Sequence, residues 1–307
     1  MTYCPYDIGG APERWGLESQ FIDTEYGRVA VRRSGTRTSE TCNLYIHGVN
    51  ADWATWTPLL QAQEERHFDT SDQALIDMPG FGDSENLLDR LPIADVGELF
   101  IAIVRSLGYS RLRIIGHSMG GFLTLDMASR HQDVVESIHI VAGSYFSILN
   151  CIQHPVASFL TEPSVAGAFV PQYMLARVGG FEETVARVAG SLGLFRLLLA
   201  PFVAHPFKIR DSVVRSMCDN INPRGLVLTA ANADGYSADR QWAEITCPIW
   251  AVFGDGDKLV PGVDMSRLLK CQPEARCATV EDSGHLLHIE HPAEVLDALG
   301  LSGKPDE

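Results

Sequence analysis

Ser118 stands midway between two glycines in the run Gly116-His117-Ser118-Met119-Gly120. A short apolar stretch (Leu112, Ile114, Ile115) leads into it. A helix-period pattern follows, with Met119, Phe122, Leu123, Leu125, Met127 and Ala128 on one broad face. A serine at the apex of a strand-to-helix turn is a candidate nucleophile. The turn lifts its hydroxyl clear of the sheet and aims the first helical amides at any anion beside it. Glycines suit the flanks because a Cβ at either position would collide with the neighbouring strand or helix. The same spacing also fits a glycine-rich turn that only packs.

A serine nucleophile needs a base, and the base needs an orienting carboxylate. His285, in Asp282-Ser283-Gly284-His285, follows an apolar strand-like run at 277–281 and is the candidate base. The candidate carboxylates are Asp255 and Asp257 in Gly254-Asp255-Gly256-Asp257-Lys258, just after the run at 248–253. Both loops should leave the sheet by the edge that carries Ser118. The Met119 amide, next after the nucleophile, is a candidate oxyanion donor. His117 is adjacent to Ser118 and points the wrong way to act as base. Asn50, Trp53 and His117 are the candidate pocket residues. His285, His288 and His291 are spaced by three, but a glycine and a proline bracket them and no H-E-x-x-H run occurs. No metal and no cofactor are expected.

The elements that must hold these residues are legible in outline. Residues 1–16 read as an irregular arm, and 17–23 with 28–33 read as an edge hairpin turning at Tyr26-Gly27. Apolar strands are expected at 43–47, 73–77, 112–115, 134–142, 248–253 and 277–281, with helices at 93–107, 263–269 and 292–299. From 144 to 239 the strand rhythm stops, and helices are expected around 155–176, 181–200 and 207–221. The fold class is therefore α/β: a mostly parallel, doubly wound sheet of about eight strands, with a helical lid inserted before the last two. The expected division is a core of 1–143 and 240–307 and a cap of 144–239. The cap's aromatic residues, among them Phe159, Phe169, Tyr173, Phe181, Phe195, Phe202 and Phe207, fit either an apolar substrate wall or the cap's own core.

Composition sets outer bounds. The chain has 307 residues, 46% hydrophobic and 21% charged, with 24 basic against 39 acidic side chains and a net charge of −15. That balance opposes nucleic-acid and anionic-membrane surfaces and favours a small-molecule partner. No secretory signal is read at the start, and the greasiest segment, 192–204, is too short to span a bilayer. The seven cysteines contain no C-x-x-C pair and read as reduced, mostly buried thiols of a cytoplasmic protein. A monomer or homodimer is expected.

Five motifs in one order carry a resemblance. These are His47-Gly48 with Trp56 beyond it, DMPGFGDS at 77–84, GHSMGG at 116–121, GDGDKLVP at 254–261 and SGHLLHIEHP at 283–292. Together, over roughly residues 20–145 and 240–300, the chain resembles the α/β-hydrolase superfamily, whose order is nucleophile, acid, histidine. The resemblance implies a lid-bearing serine hydrolase of the esterase, lactonase, thioesterase or C–C hydrolase kind, cleaving an ester or thioester of a small, largely apolar substrate. It selects Asp257 over Asp255 as the acid, leaving Asp255 to bond backbone amides. It also gives the Val49 amide as second oxyanion donor and makes His47 a buried support of that loop. The alternatives are C–C cleavage, a lyase, acyltransferase or cyclase on the same triad, or a receptor with the same fold.

Overall fold

The computed structural model describes residues 2–68, 70–86, 91–143, 146–178 and 194–301. Eight strands form one sheet: β1 (Leu17–Thr24), β2 (Gly27–Ser34), β3 (Thr41–Ile46), β4 (Gln73–Ile76), β5 (Arg111–His117), β6 (Val135–Val141), β7 (Ile249–Gly254) and β8 (Arg276–Val280). Their spatial order is β1-β2-β4-β3-β5-β6-β7-β8. β2 pairs antiparallel with β1 and with β4, and every other pair is parallel. The first two strands form the expected hairpin, closing where Thr24 faces Gly27. Gly27 has a φ of 137°, which favours glycine at that corner.

Helices cover both faces. On one, α2 (Ile93–Ser106) and α3 (Met119–Arg130) pack through Phe100, Val104, Phe122 and Leu125 against Leu44, Leu112 and Ile114. On the other, α1 (Thr57–Glu65) and the closing helix (Pro292–Ala298) pack through Leu59, Val295 and Leu296 against Tyr45, Leu75 and Ile115. Ile114 and Ile115 thus go to opposite faces, as period-2 alternation requires. The helix α1 had no counterpart in the sequence reading, although Pro58 at its first turn is a start signal.

Between β6 and β7 the described chain is all helical. Its longer helices are α4 (Phe146–Gln153), α5 (Pro163–Arg177), α6 (Asp211–Asp219) and α7 (Pro223–Ala233). Short turns at Ser158–Thr161, Phe195–Leu198 and Ala238–Trp242 complete this insert. The boundaries differ from expectation. Residues 155–176 are two helices, because Glu162 breaks the run and Pro163 restarts it. The 207–221 segment starts at Asp211. The helix expected at 181–200 lies largely outside the described residues, as do Phe181 and the boundary at 144. After β7 comes α8 (Gly262–Cys271). Three cysteines are buried (Cys4, Cys42, Cys151) and four are only partly so, and all seven are free thiols. The expectation of mostly buried thiols therefore holds only for the first three.

Candidate active site

Ser118 sits where β5 turns into α3, with φ 53° and ψ −117°, in the left-handed half of φ space that a non-glycine residue seldom occupies. The surroundings force that turn. A Cβ on Gly120 would run into the Ile46 carbonyl oxygen of β3, and one on Gly116 into Thr124 Oγ1 and the Gly120 carbonyl. The Ser118 amide donates to the Val141 carbonyl at 3.0 Å, tying the apex to the neighbouring strand.

The loops after β7 and β8 bring the other two groups alongside. His285 Nε2 lies 2.8 Å from Ser118 Oγ, and its Nδ1 lies 2.9 Å from Asp257 Oδ2. The geometry fits a neutral imidazole that accepts the serine proton and donates from Nδ1 to the carboxylate. Asp257 Oδ1 accepts the amides of Leu259 at 2.8 Å and Val260 at 3.0 Å, which fixes the carboxylate's plane. Asp255 faces elsewhere and accepts the Ser283 amide at 3.1 Å, joining the two loops. Both His285 and Asp257 are buried.

The loop after β3 closes the site from the other side. A Cβ on Gly48 would stand 2.9 Å from Ser118 Cβ, so only glycine lets this loop come so close. Val49 and Met119 both line the cavity beside Ser118. His47 braces the loop: Nδ1 donates to the Gly48 carbonyl at 2.7 Å and Nε2 accepts the Met78 amide at 2.9 Å. Burial lowers its pKa, which keeps it neutral in that role. Behind it, Asp77 accepts Arg32 at 2.7 Å and the Trp53 amide at 2.8 Å.

The pocket candidates divide. Asn50 and His117 line the cavity. Asn50 Oδ1 accepts the Asn222 backbone amide at 2.9 Å, so this side chain ties the loop to the start of α7. His117 Nε2 donates to the His285 carbonyl at 2.9 Å, and its ring centroid is 4.2 Å from that of His288. Burial, with His288 and His285 nearby, drives its pKa well below the usual imidazole range. Trp53 is a correction. The turn Trp53–Trp56, capped by Asp52, carries both indoles into the apolar layer beneath the sheet, and Trp53 is not in the cavity wall.

The cavity above Ser118 measures about 390 Å³. Its roof comes from the insert, with Ile148, Ile152, Leu175, Phe195, Leu226 and Ala233 among its walls. Of the described insert aromatics some line the cavity, Tyr173 is buried outside its wall, and two meet neither expectation. Phe169, Phe195 and Phe202 face the cavity, whereas Phe159 and Phe207 are exposed. His288 bonds Thr55 Oγ1 at 3.0 Å, and His291 Nε2 bonds the Asp282 carbonyl at 3.1 Å. These two histidines and His285 thus take separate partners, and among the described residues no group of three or more His, Cys, Asp or Glu could hold a metal ion. No described helix is long and apolar enough to cross a membrane.

No sequence signal pointed to Glu290 and Tyr3 beside the His285 loop, and Phe202 was expected only as a cap aromatic, not as a support of that loop. Both Glu290 oxygens accept the Gly284 amide, at 3.0 and 3.1 Å. The Phe202 carbonyl accepts the amides of His285 at 2.8 Å and Leu286 at 3.2 Å. No spacing rule marks these roles, because Glu290 joins Gly284 to the distant Ala204 and Tyr3, and Phe202 lies far before His285 in the chain.

A family model described as the alpha/beta hydrolase fold matches residues 44–292. Over 258 residues the chain is 22% identical to the dihydrolipoyllysine-residue acetyltransferase component of the acetoin cleaving system of Pseudomonas putida, covering 81% of this chain but only 60% of that protein. It is also 22% identical over 261 residues to the (E)-2-((N-methylformamido)methylene)succinate hydrolase of Acinetobacter baylyi, covering 83% of this chain and 87% of the relative. The enol-lactonase structure from Burkholderia xenovorans matches with a TM-score of 0.69 at 18% identity, over 92% of this chain and 100% of that one. At such identity the structural likeness speaks for the fold alone. With its eight-stranded, mostly parallel sheet and a family match running from Leu44 to Pro292, the chain belongs to the alpha/beta hydrolase fold family.

Proposed function

We propose that this protein is a serine hydrolase that cleaves a carboxylic ester or thioester of a small, largely apolar substrate through an acyl-enzyme. The observation that carries the reading is the continuous chain of contacts from Ser118 Oγ to His285 Nε2 at 2.8 Å and from His285 Nδ1 to Asp257 at 2.9 Å. As Ser118 attacks the carbonyl carbon, His285 takes its proton, and the Asp257 carboxylate stabilises the imidazolium. The amides of Val49 and Met119 hold the developing oxyanion. Collapse of the tetrahedral intermediate breaks the bond to the alcohol or thiol, which leaves with the proton from His285. Water then repeats the sequence on the acyl-enzyme and releases the acid.

The helices between Phe146 and Trp242 act as a lid over the cavity, whose apolar walls fit the acyl group. Ser118→Ala should cut hydrolysis of p-nitrophenyl butyrate by at least about 10⁴-fold while leaving the thermal unfolding midpoint within a few degrees of the parent. Retained turnover in that variant would remove the reading.

A further inference from the structure

The loop that carries His285 is held from outside the triad by one buried carboxylate. Glu290 is fully buried and gathers three separate parts of the chain. It accepts the Gly284 amide from the histidine loop, the Ala204 amide at 2.9 Å from the insert, and the Tyr3 hydroxyl at 2.9 Å from the N-terminal arm. Tyr3 oxygen in turn accepts the His205 amide at 3.1 Å, and the Glu290 carbonyl accepts the Cys4 amide at 2.8 Å. His205 Nε2 bonds Asp282 at 2.7 Å, at the other end of the same loop.

The strap of insert residues 202–205 is therefore fastened to the His285 loop at every step. The approach is so close that a Cβ on Gly284 would fall 2.7 Å from both the Phe202 carbonyl oxygen and Val203 Cα. An apolar cluster of Cys4, Phe195, Leu199, Val203, Leu286 and Ile289 fills the joint between arm, strap and loop. The strap also faces the cavity: Phe202 and Leu199 line it, and the Phe202 ring centroid is 6.5 Å from that of His285.

We infer that Glu290 and Tyr3 are positioning residues that keep His285 in register with Ser118 while an acyl chain fills the cavity. The inference rests on the serine-hydrolase reading above. A chain long enough to reach Phe202 pushes on the strap, and the strap's carbonyl holds the amides of His285 and Leu286. Without the anchor, that push moves the imidazole, and a displacement of about 1 Å costs up to ~10²-fold in rate. An acetyl group fills far less of the cavity and pushes on the strap correspondingly less. The arm thus sets how long an acyl group the site processes at full speed.

The test is Tyr3→Phe in the full chain, which deletes one hydroxyl from a partly exposed arm and keeps the ring. Steady-state kinetics with p-nitrophenyl acetate and p-nitrophenyl octanoate separate the outcomes. The expected result is an octanoate kcat lowered by about tenfold, an acetate kcat lowered less than twofold, and KM for both within about twofold of the parent. Glu290→Gln keeps the side chain's shape but replaces by a donor one of the two oxygens that accept from Gly284, Ala204 and Tyr3. It should show the same length-dependent pattern more strongly. Equal losses for both esters, or no loss in either variant beyond a lower unfolding midpoint, would overturn the inference. That result would leave the hydrolase reading intact, since the latter stands or falls on Ser118→Ala.

Discussion

Asp255 and Asp257 lie two residues apart in one loop and differ only in what their carboxylates face. Asp257 is held by two amides and receives His285 Nδ1, whereas Asp255 receives the Ser283 amide. An asparagine at 257 would present an amide donor to an imidazole N–H and favour the wrong tautomer. Asp257→Asn should therefore lower kcat on p-nitrophenyl butyrate by about 10³-fold or more, while Asp255→Asn lowers it by no more than about threefold. Equal losses would mean that the acid has been misassigned. At this scale the sequence was informative where chemistry and spacing coincide. Ser118 was marked by its glycines and His285 by following the last strand, while the loop after β7 offered both Asp255 and Asp257 and only the family resemblance chose between them. It was silent on Glu290 and misleading on Trp53. What those side chains face depends on how distant segments pack, and no local pattern carries that.

Elements position the site by meeting at one sheet edge, and buried imidazoles join several of them. His139 of β6 stacks on Trp250 of β7 with ring centroids 4.8 Å apart, and it bonds the Leu299 carbonyl beyond the closing helix at 2.9 Å. Burial pushes its pKa from 6.5 down to about 3. A lowered folded-state pKa means that the unfolded chain binds the proton first. The stability this group contributes is whole above pH 6.5 and is lost as pH falls towards about 3. Raised carboxylates such as Asp264, pushed up to about 6, work in the opposite sense, so the difference between variants is the informative quantity. Urea unfolding of His139→Gln should show a fall in stability from pH 6.5 to about 5 that is shallower than the parent's by about 1.4 kcal/mol per pH unit. Parallel pH curves would contradict this. Six strands were legible as short apolar runs bounded by turns, and the edge hairpin of β1 and β2 from its alternation around Tyr26-Gly27. The insert's helices were legible only in part: α5 and α6 fall where helices were expected, with shifted bounds, whereas α4 and α7 were missed. α7 begins with Asn222 accepting the Gly225 amide at 2.9 Å and with Pro223 in its first turn, a start signal the reading passed over. α5 carries apolar residues on most sides, because one side packs within the insert and another faces the cavity.

For the molecule as a whole, a net charge of −15 surrounds an apolar cavity of about 390 Å³ that opens beside Ser118. Described helices between 146 and 242 roof that cavity at the sheet's carboxyl edge, where open α/β sheets place ligands. The central claim is that residues 118, 257 and 285, far apart in sequence, act as one nucleophilic unit at that edge. The most direct measurement is covalent labelling of the full chain with an alkyl fluorophosphonate, read by intact-mass and peptide mass spectrometry. One adduct per chain is expected, on Ser118, absent in Ser118→Ala and formed at least about 100-fold more slowly in His285→Ala. An adduct on another residue, or labelling at the same rate without the imidazole, would contradict it.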